Sequence, residues 1–138
     1  MPLIRHSSVF DCMNLSFDFE LIVRLLSAVL VGMVVGIERE YRNKSAGLRT
    51  MTLISLGSAV FTMLSAAFED DRSGRIAANI VTGIGFLGAG VIYKSDERVQ
   101  GLTTAAIIWV TASLGMAMGD GYLGLGFFAA ILVLLVLV

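Results

Sequence analysis

The residues of this 138-residue sequence that could do chemistry are a scatter of carboxylates, one glycine run and one polar helical face. Glu38, Asp71, Asp96, Glu97 and Asp120 offer the oxygens that a hard cation such as Mg²⁺ takes, commonly through one or two carboxylates with water retained. His6 is the only histidine and Cys12 the only cysteine. A soft-metal site therefore has no imidazole support, and Cys12 reads as an ordinary free thiol. Gly83-Ile84-Gly85-Phe86-Leu87-Gly88 matches G-x-G-x-x-G, but its glycines lie inside an uncharged apolar run and position 103 is Thr. A dinucleotide site needs a strand before the motif, a helix opening at it and an acid about 20 residues on. The stretch Gly90–Ser95 has Tyr93, not Gly, before Lys94, so it is not a phosphate loop either. No ATP-binding motif is present; the chain reads as a non-enzymatic protein with no cofactor, Mg²⁺ being a candidate ligand or transported ion.

Arg75, Asn79 and Thr82 fall at i, i+4 and i+7, one face of a helix. With Gln100, Thr103, Thr104 and Trp109 they form a candidate polar path, since polar groups within a membrane usually face a bundle interior. Glu38, Lys44, Arg49 and Asp71 are the candidate charged clamp or ion contact. Of those two roles the clamp is favoured, Glu38 and Asp71 pairing with Arg49 or Arg75 at helix ends. Glu20 and Arg24 stand at i and i+4 in the favourable order. Trp109, in mid-helix, reads as a packing residue of the interior.

The elements that must carry these residues are apolar. The sequence is 57% hydrophobic and 15% charged, with a mean hydropathy of +0.86. A soluble domain cannot show water so little polar surface. Uncharged runs at about 21–37 (Arg24 apart), 51–68, 76–93, 103–118 and 122–138 approach the roughly 17–25 residues a bilayer span needs. The expectation is an all-α membrane protein, a bundle of about five transmembrane helices behind an N-terminal tail over residues 1–20. Ten Lys and Arg against eleven Asp and Glu give no electrostatic case for nucleic acid. The loops after the first and third spans hold Arg39, Arg42, Lys44, Arg49, Lys94 and Arg98, and the opposite side holds Arg5, Arg24, Arg72 and Arg75. That bias places the N-terminus outside and the C-terminus inside. The closing apolar run Ala129–Val138 suggests either a bare membrane domain or one whose cytoplasmic C-terminal domain is missing here.

Small residues recur at packing distances. Ala28, Gly32 and Gly36 line one face of the first helix, and Thr111, Gly115 and Gly119 one face of the fourth. Such faces let helix backbones approach closely in lipid. They read as packing within one bundle in preference to a homo-oligomer interface. Gly83, Gly85, Gly88 and Gly90 leave two readings open: a close-packing face, or a kinked and partly unwound segment whose carbonyls line a path.

Three motifs in order carry a resemblance. Gly36-Ile37-Glu38-Arg39-Glu40 with Lys44 and Ala46–Thr50, then Arg75–Ile92, then Val99–Ala106 with Trp109, are similar to the membrane domain of the MgtC/SapB proteins from about Leu21 onward. Asn79 stands where that family commonly has Gln, and Ile107 where a small polar residue is usual. The resemblance implies a multi-pass bacterial inner-membrane protein with five spans, tied to magnesium limitation and, in pathogens, to survival inside host cells. Two functions follow as expectations. The chain regulates another membrane complex, such as an ATP synthase or an ion transporter; or it moves or senses Mg²⁺ or another cation along helices three and four. The first is preferred.

Overall fold

The computed structural model describes residues 19–66, 72–95 and 98–138. His6, Cys12, Asp71, Asp96 and Glu97 lie outside the described residues. Among the described residues there are five helices: α1 (Phe19–Tyr41), α2 (Leu48–Ala66), α3 (Arg72–Gly90), α4 (Leu102–Gly119) and α5 (Leu123–Leu137). Between α3 and α4 stand two short strands, β1 (Tyr93–Ser95) and β2 (Arg98–Gln100), paired antiparallel with Tyr93 opposite Gln100. The molecule is an all-α bundle of the membrane type. Large apolar side chains look outward along it, Phe86 at 81% exposure and Leu26 at 62% among them, which suits a lipid surround and not water.

Helix boundaries depart from the uncharged runs in an instructive way. α1 continues through Glu38-Arg39-Glu40-Tyr41, because Glu and Arg are good helix formers and a charge ends a hydrophobic run without ending a helix. Glu20 in its first turn and Arg39 in its last match the helix dipole. α3 starts earlier than its uncharged run and stops at Gly90, where the chain turns into β1. The hairpin has no counterpart in the sequence pattern: its strands are three residues each, too short and too polar to alternate visibly.

Length and hydropathy qualify three helices to cross a membrane: α1, α2 and α4. α5 is apolar but has 15 residues. α3 has 19, among them Arg75, Asn79, Thr82 and several glycines that lower its hydropathy.

α2 sits between α1 and α4, and small residues decide how close they come. A Cβ built on Gly32 would stand 2.9 Å from Ser55 Cβ, and one on Gly36 would stand 2.7 Å from the Leu48 Cα. On the opposite side, a Cβ built on Gly119 would stand 2.5–3.1 Å from the backbone of Ala59, and one on Gly115 would run into the backbone of Ser55. The two glycine faces of the sequence are thus spent inside one bundle, α1 on α2 and α4 on α2. Ser55 joins all three helices: its hydroxyl donates to Ala28 O at 2.7 Å while its backbone receives Gly115. Thr111, fully buried, donates to Met51 Sδ at 3.5 Å. Around these contacts pack Val31, Val35, Ile54, Ile108, Leu114 and Met118.

Arg24 fastens the other end. Its Nη1 donates to Gly119 O at 3.0 Å, and Nη2 pairs with Glu20. The turn it holds, Gly119-Asp120-Gly121, returns the chain from α4 into α5, with Gly121 at φ +89°.

Candidate functional site

The described charged groups concentrate at the end of the bundle where α1 stops and α4 starts. Glu38, mostly buried, lies 2.6 Å from Arg42 Nε and 3.5 Å from Arg39 Nε. Arg42 is four residues on from Glu38, in the turn just past the end of α1, so the partner is local and no second helix is needed. Arg49 and Arg75 are exposed, and neither forms an ion pair with a described residue. The expected clamp from Glu38 to Arg49 or Arg75 is therefore not formed. Glu40 does something else. Its Oε2 accepts the Leu48 N–H at 2.8 Å and caps the start of α2 from eight residues away.

The buried cation of this end is Arg39, 3% exposed. Its Nε finds no hydrogen-bond acceptor. Beside it opens a cavity of about 610 Å³ bounded by the end of α1 and its following loop, the hairpin, the first turn of α4 and the end of α5. Lys44, Gln100, Thr103 and Thr104 line it together with Arg39 and Arg42. Tyr93 O–H donates to Gln100 Oε1 at 3.0 Å and fixes that amide. Gly101 joins the hairpin to α4 at φ +89°, and any Cβ there would run into the Val91 carbonyl, so the junction demands glycine.

α3 offers the second feature. It is helical throughout Arg72–Gly90, so its glycines do not unwind it. Nor do most of them pack closely within the chain. Positions 83, 85 and 90 have open space where a Cβ would go, and Gly88 meets Ala105 at an ordinary 3.6 Å. Ala78, Thr82, Gly85 and Ala89, at i, i+4, i+7 and i+11, are all exposed and make a smooth stripe along the helix. Thr82 returns its hydroxyl to Ala78 O at 2.9 Å, so the stripe presents no unmet donor there. Asn79 is exposed and borders an open apolar groove between α2 and α3, with Ser58 and Phe61 across from it.

Residues 25–138 match the MgtC family. The chain belongs to that family. It is 47% identical over 127 residues to the Escherichia coli (strain K12) protein named "Putative magnesium transporter YhiD", covering 86% of this chain and 59% of that one. It is 47% identical over 116 residues to Protein MgtC of Salmonella typhimurium (strain LT2), covering 84% of this chain and 50% of that one. With Protein MgtC of Brucella abortus (strain 2308) it shares 48% identity over 98 residues, 70% of this chain and 41% of the other. The chain thus spans about half the length of the curated relatives it matches. No solved structure matches it.

Within this MgtC-family domain the candidate path divides into two places. Gln100, Thr103 and Thr104 meet at the cavity beside Arg39. Arg75, Asn79 and Thr82 lie on the outward side of α3, away from that cavity. Trp109 is 48% exposed on the α3–α4 seam with Val81 and Ile84, not in the interior as its mid-helix place suggested. Its neighbours on α4, Ile108 and Thr111, take the buried face, and the helical period turns Trp109 outward. Of the carboxylates, Glu38 and Asp120 are at opposite ends of the bundle, so they do not share a site. Three residues that matter escape a reading by residue type and spacing: Arg39 as a buried cation, Glu40 as a cap and Ser55 as a three-helix joint. Only Ser55 leaves a trace, sharing a four-residue rhythm with Met51 and Ala59 along α2.

Proposed function

We propose that this chain is the membrane domain of a non-enzymatic protein of magnesium homeostasis, which regulates another membrane complex by docking on it through α3. The observation carrying the regulator reading is the open stripe Ala78–Thr82–Gly85–Ala89. The same device on α1 and α4 is filled by α2, whereas on α3 it has no occupant among the described residues. Without a hydrophobic drive between helices in lipid, close approach over small residues is what binds one helix to another. A partner helix of an ATP synthase or ion transporter, seated on that stripe, would gain such packing. The magnesium context is supported by the name of the E. coli (strain K12) relative, "Putative magnesium transporter YhiD". The basic residues Arg39, Arg42, Lys44, Arg49, Lys94 and Arg98 face the cytoplasm of a bacterial inner membrane in this reading, and the N-terminus faces the periplasm. The name of the E. coli relative supports a second reading, transport of Mg²⁺ by the chain itself.

Growth at low Mg²⁺ and flux in liposomes separate the two. In cells lacking their own copy, Gly85→Leu combined with Ala89→Leu should abolish growth rescue at unchanged membrane abundance, because both side chains fill the stripe from outside. The purified wild-type protein should then pass no Mg²⁺ into liposomes. Wild-type flux that disappears on Asn79→Leu, with growth rescue untouched by the stripe variant, would overturn regulation in favour of transport.

A further inference from the structure

The cavity at the end of α1 carries the features of an anion site, and nothing in the proposed regulation requires it. Arg39 is the first of these features. A guanidinium only 3% exposed should be met by acceptors, since an uncompensated charge is costly away from water. Its Nε has none, and its nearest carboxylate, that of Glu38, stands 3.5 Å away and is shared with Arg42 at 2.6 Å. The side chain borders the cavity.

The second feature is the start of α4. Gly101 sits at the N-cap with no side chain to accept from the first turn, and no side-chain cap replaces it. The amides of Leu102, Thr103 and Thr104 therefore open an 18-residue helix without a capping acceptor, at its positive end. All three residues line the same cavity as Arg39. Gln100 adds to this. With its Oε1 occupied by Tyr93, its amide nitrogen is the end left to donate. Arg42 and Lys44 stand on the rim, and the described lining contains no carboxylate.

Buried guanidinium, open helix N-terminus, fixed amide and two rim cations converge on one occupant chemistry. We infer that this cavity binds a phosphate group, with Arg39 and the first-turn amides of α4 as its donors and Arg42 and Lys44 as the charge that draws it in. A phosphate fits better than a carboxylate because its several oxygens can meet the guanidinium and the amides together. It comes from one of two sources: the headgroup of an anionic phospholipid, with Val99 and Leu102 beside the acyl region, or phosphate free in the aqueous phase.

The test uses the full-length protein in nanodiscs of phosphatidylcholine. One arm titrates inorganic phosphate, read by ³¹P line broadening; the other replaces part of the lipid with phosphatidic acid and counts retained lipids by native mass spectrometry. Two variants are compared with wild type. Arg39→Gln removes the buried cation. Thr103→Asp puts a negative charge at the helix N-terminus, where it favours the helix and so preserves the fold while repelling an anion. Saturable binding in either arm, weakened about tenfold or more by both variants as expected for loss of a charge-assisted hydrogen bond, supports the site, and the arm that responds names the source. Binding in neither arm, or binding that Thr103→Asp leaves unchanged in a folded protein, overturns it.

Discussion

Adding one methyl group at Gly115 and one at Gly83 should have opposite effects, and the difference can be worked from the structure. A Cβ at Gly115 would lie 2.8 Å from both the C and the Cα of Ser55, and closer still to its carbonyl oxygen. Ordinary carbon–carbon contact lies at about 3.5–4.0 Å, so α2 and α4 would have to part by roughly 1 Å, since backbone cannot swing aside as a side-chain tip can. Overpacking of this kind costs about 1–3 kcal/mol. The parting also strains the Ser55–Ala28 hydrogen bond, a further loss of about 1 kcal/mol. Against this stands the better helix propensity of Ala, about 1 kcal/mol. Gly115→Ala should thus lose about 1–3 kcal/mol net. At Gly83 nothing lies within 4 Å of the added carbon, leaving the propensity gain alone, up to about 1 kcal/mol in favour. Reversible unfolding of the two variants in mixed micelles, followed by far-ultraviolet circular dichroism, reads the gap. Equal stabilities would refute the close α2–α4 approach.

Other substitutions probe single contacts. Gly101→Ala should destabilise strongly and raise hydrogen exchange in the hairpin amides, because φ +89° and the Val91 carbonyl both oppose a side chain. Ser55→Ala should cost about 1 kcal/mol in the same unfolding assay, a modest loss since Ala28 O keeps its helical partner and no buried donor is orphaned. Glu40→Gln, which weakens the cap on Leu48 N–H, should speed exchange in the first turn of α2 and leave the centre of that helix protected.

How much of this is legible in the chain depends on the physics each feature answers to. The five described helices are legible because each keeps a long uncharged run, the pattern lipid imposes by rejecting unpaired backbone and charge. Their ends are less so: at Glu38-Arg39-Glu40 the run stops and the helix does not. The spacing of Gly32 and Gly36 announces close packing but cannot say against what. Gly85 has similar company in the sequence and, in the bundle, nothing above it. That difference depends on where α2 lies, which is tertiary information. The hairpin is hidden for another reason: three-residue strands have too few residues to show a period, and a glycine junction holds them to α4. Arg39 is the sharpest case. A charge just past a span reads as exposed to water, and only the meeting of α1, α4 and the hairpin makes it a buried cation.

The two ends of this bundle and its α3 flank do different mechanical jobs, and the division follows from where small residues and charges fall. At one end Arg24 ties the α4–α5 turn to α1; along the middle, glycine contacts lock α1, α2 and α4 together. That leaves α3 outside the glycine-locked set, packed on α2 and α4 more lightly than those two pack on each other. A helix so placed can exchange neighbours in the membrane without unfolding the core. It is also joined through the hairpin and Gly101 directly to the first turn of α4, where the buried Arg39 waits beside the cavity. A shift of α3 against a partner therefore has a short covalent route to the phosphate site, and occupancy of that site has the same route back to the stripe. Reciprocity of binding makes the link measurable: if phosphate favours one setting of the hairpin, partner binding must change phosphate affinity by the same factor. Equal phosphate affinity with and without a bound partner would leave the two surfaces independent and confine the hairpin to a structural role.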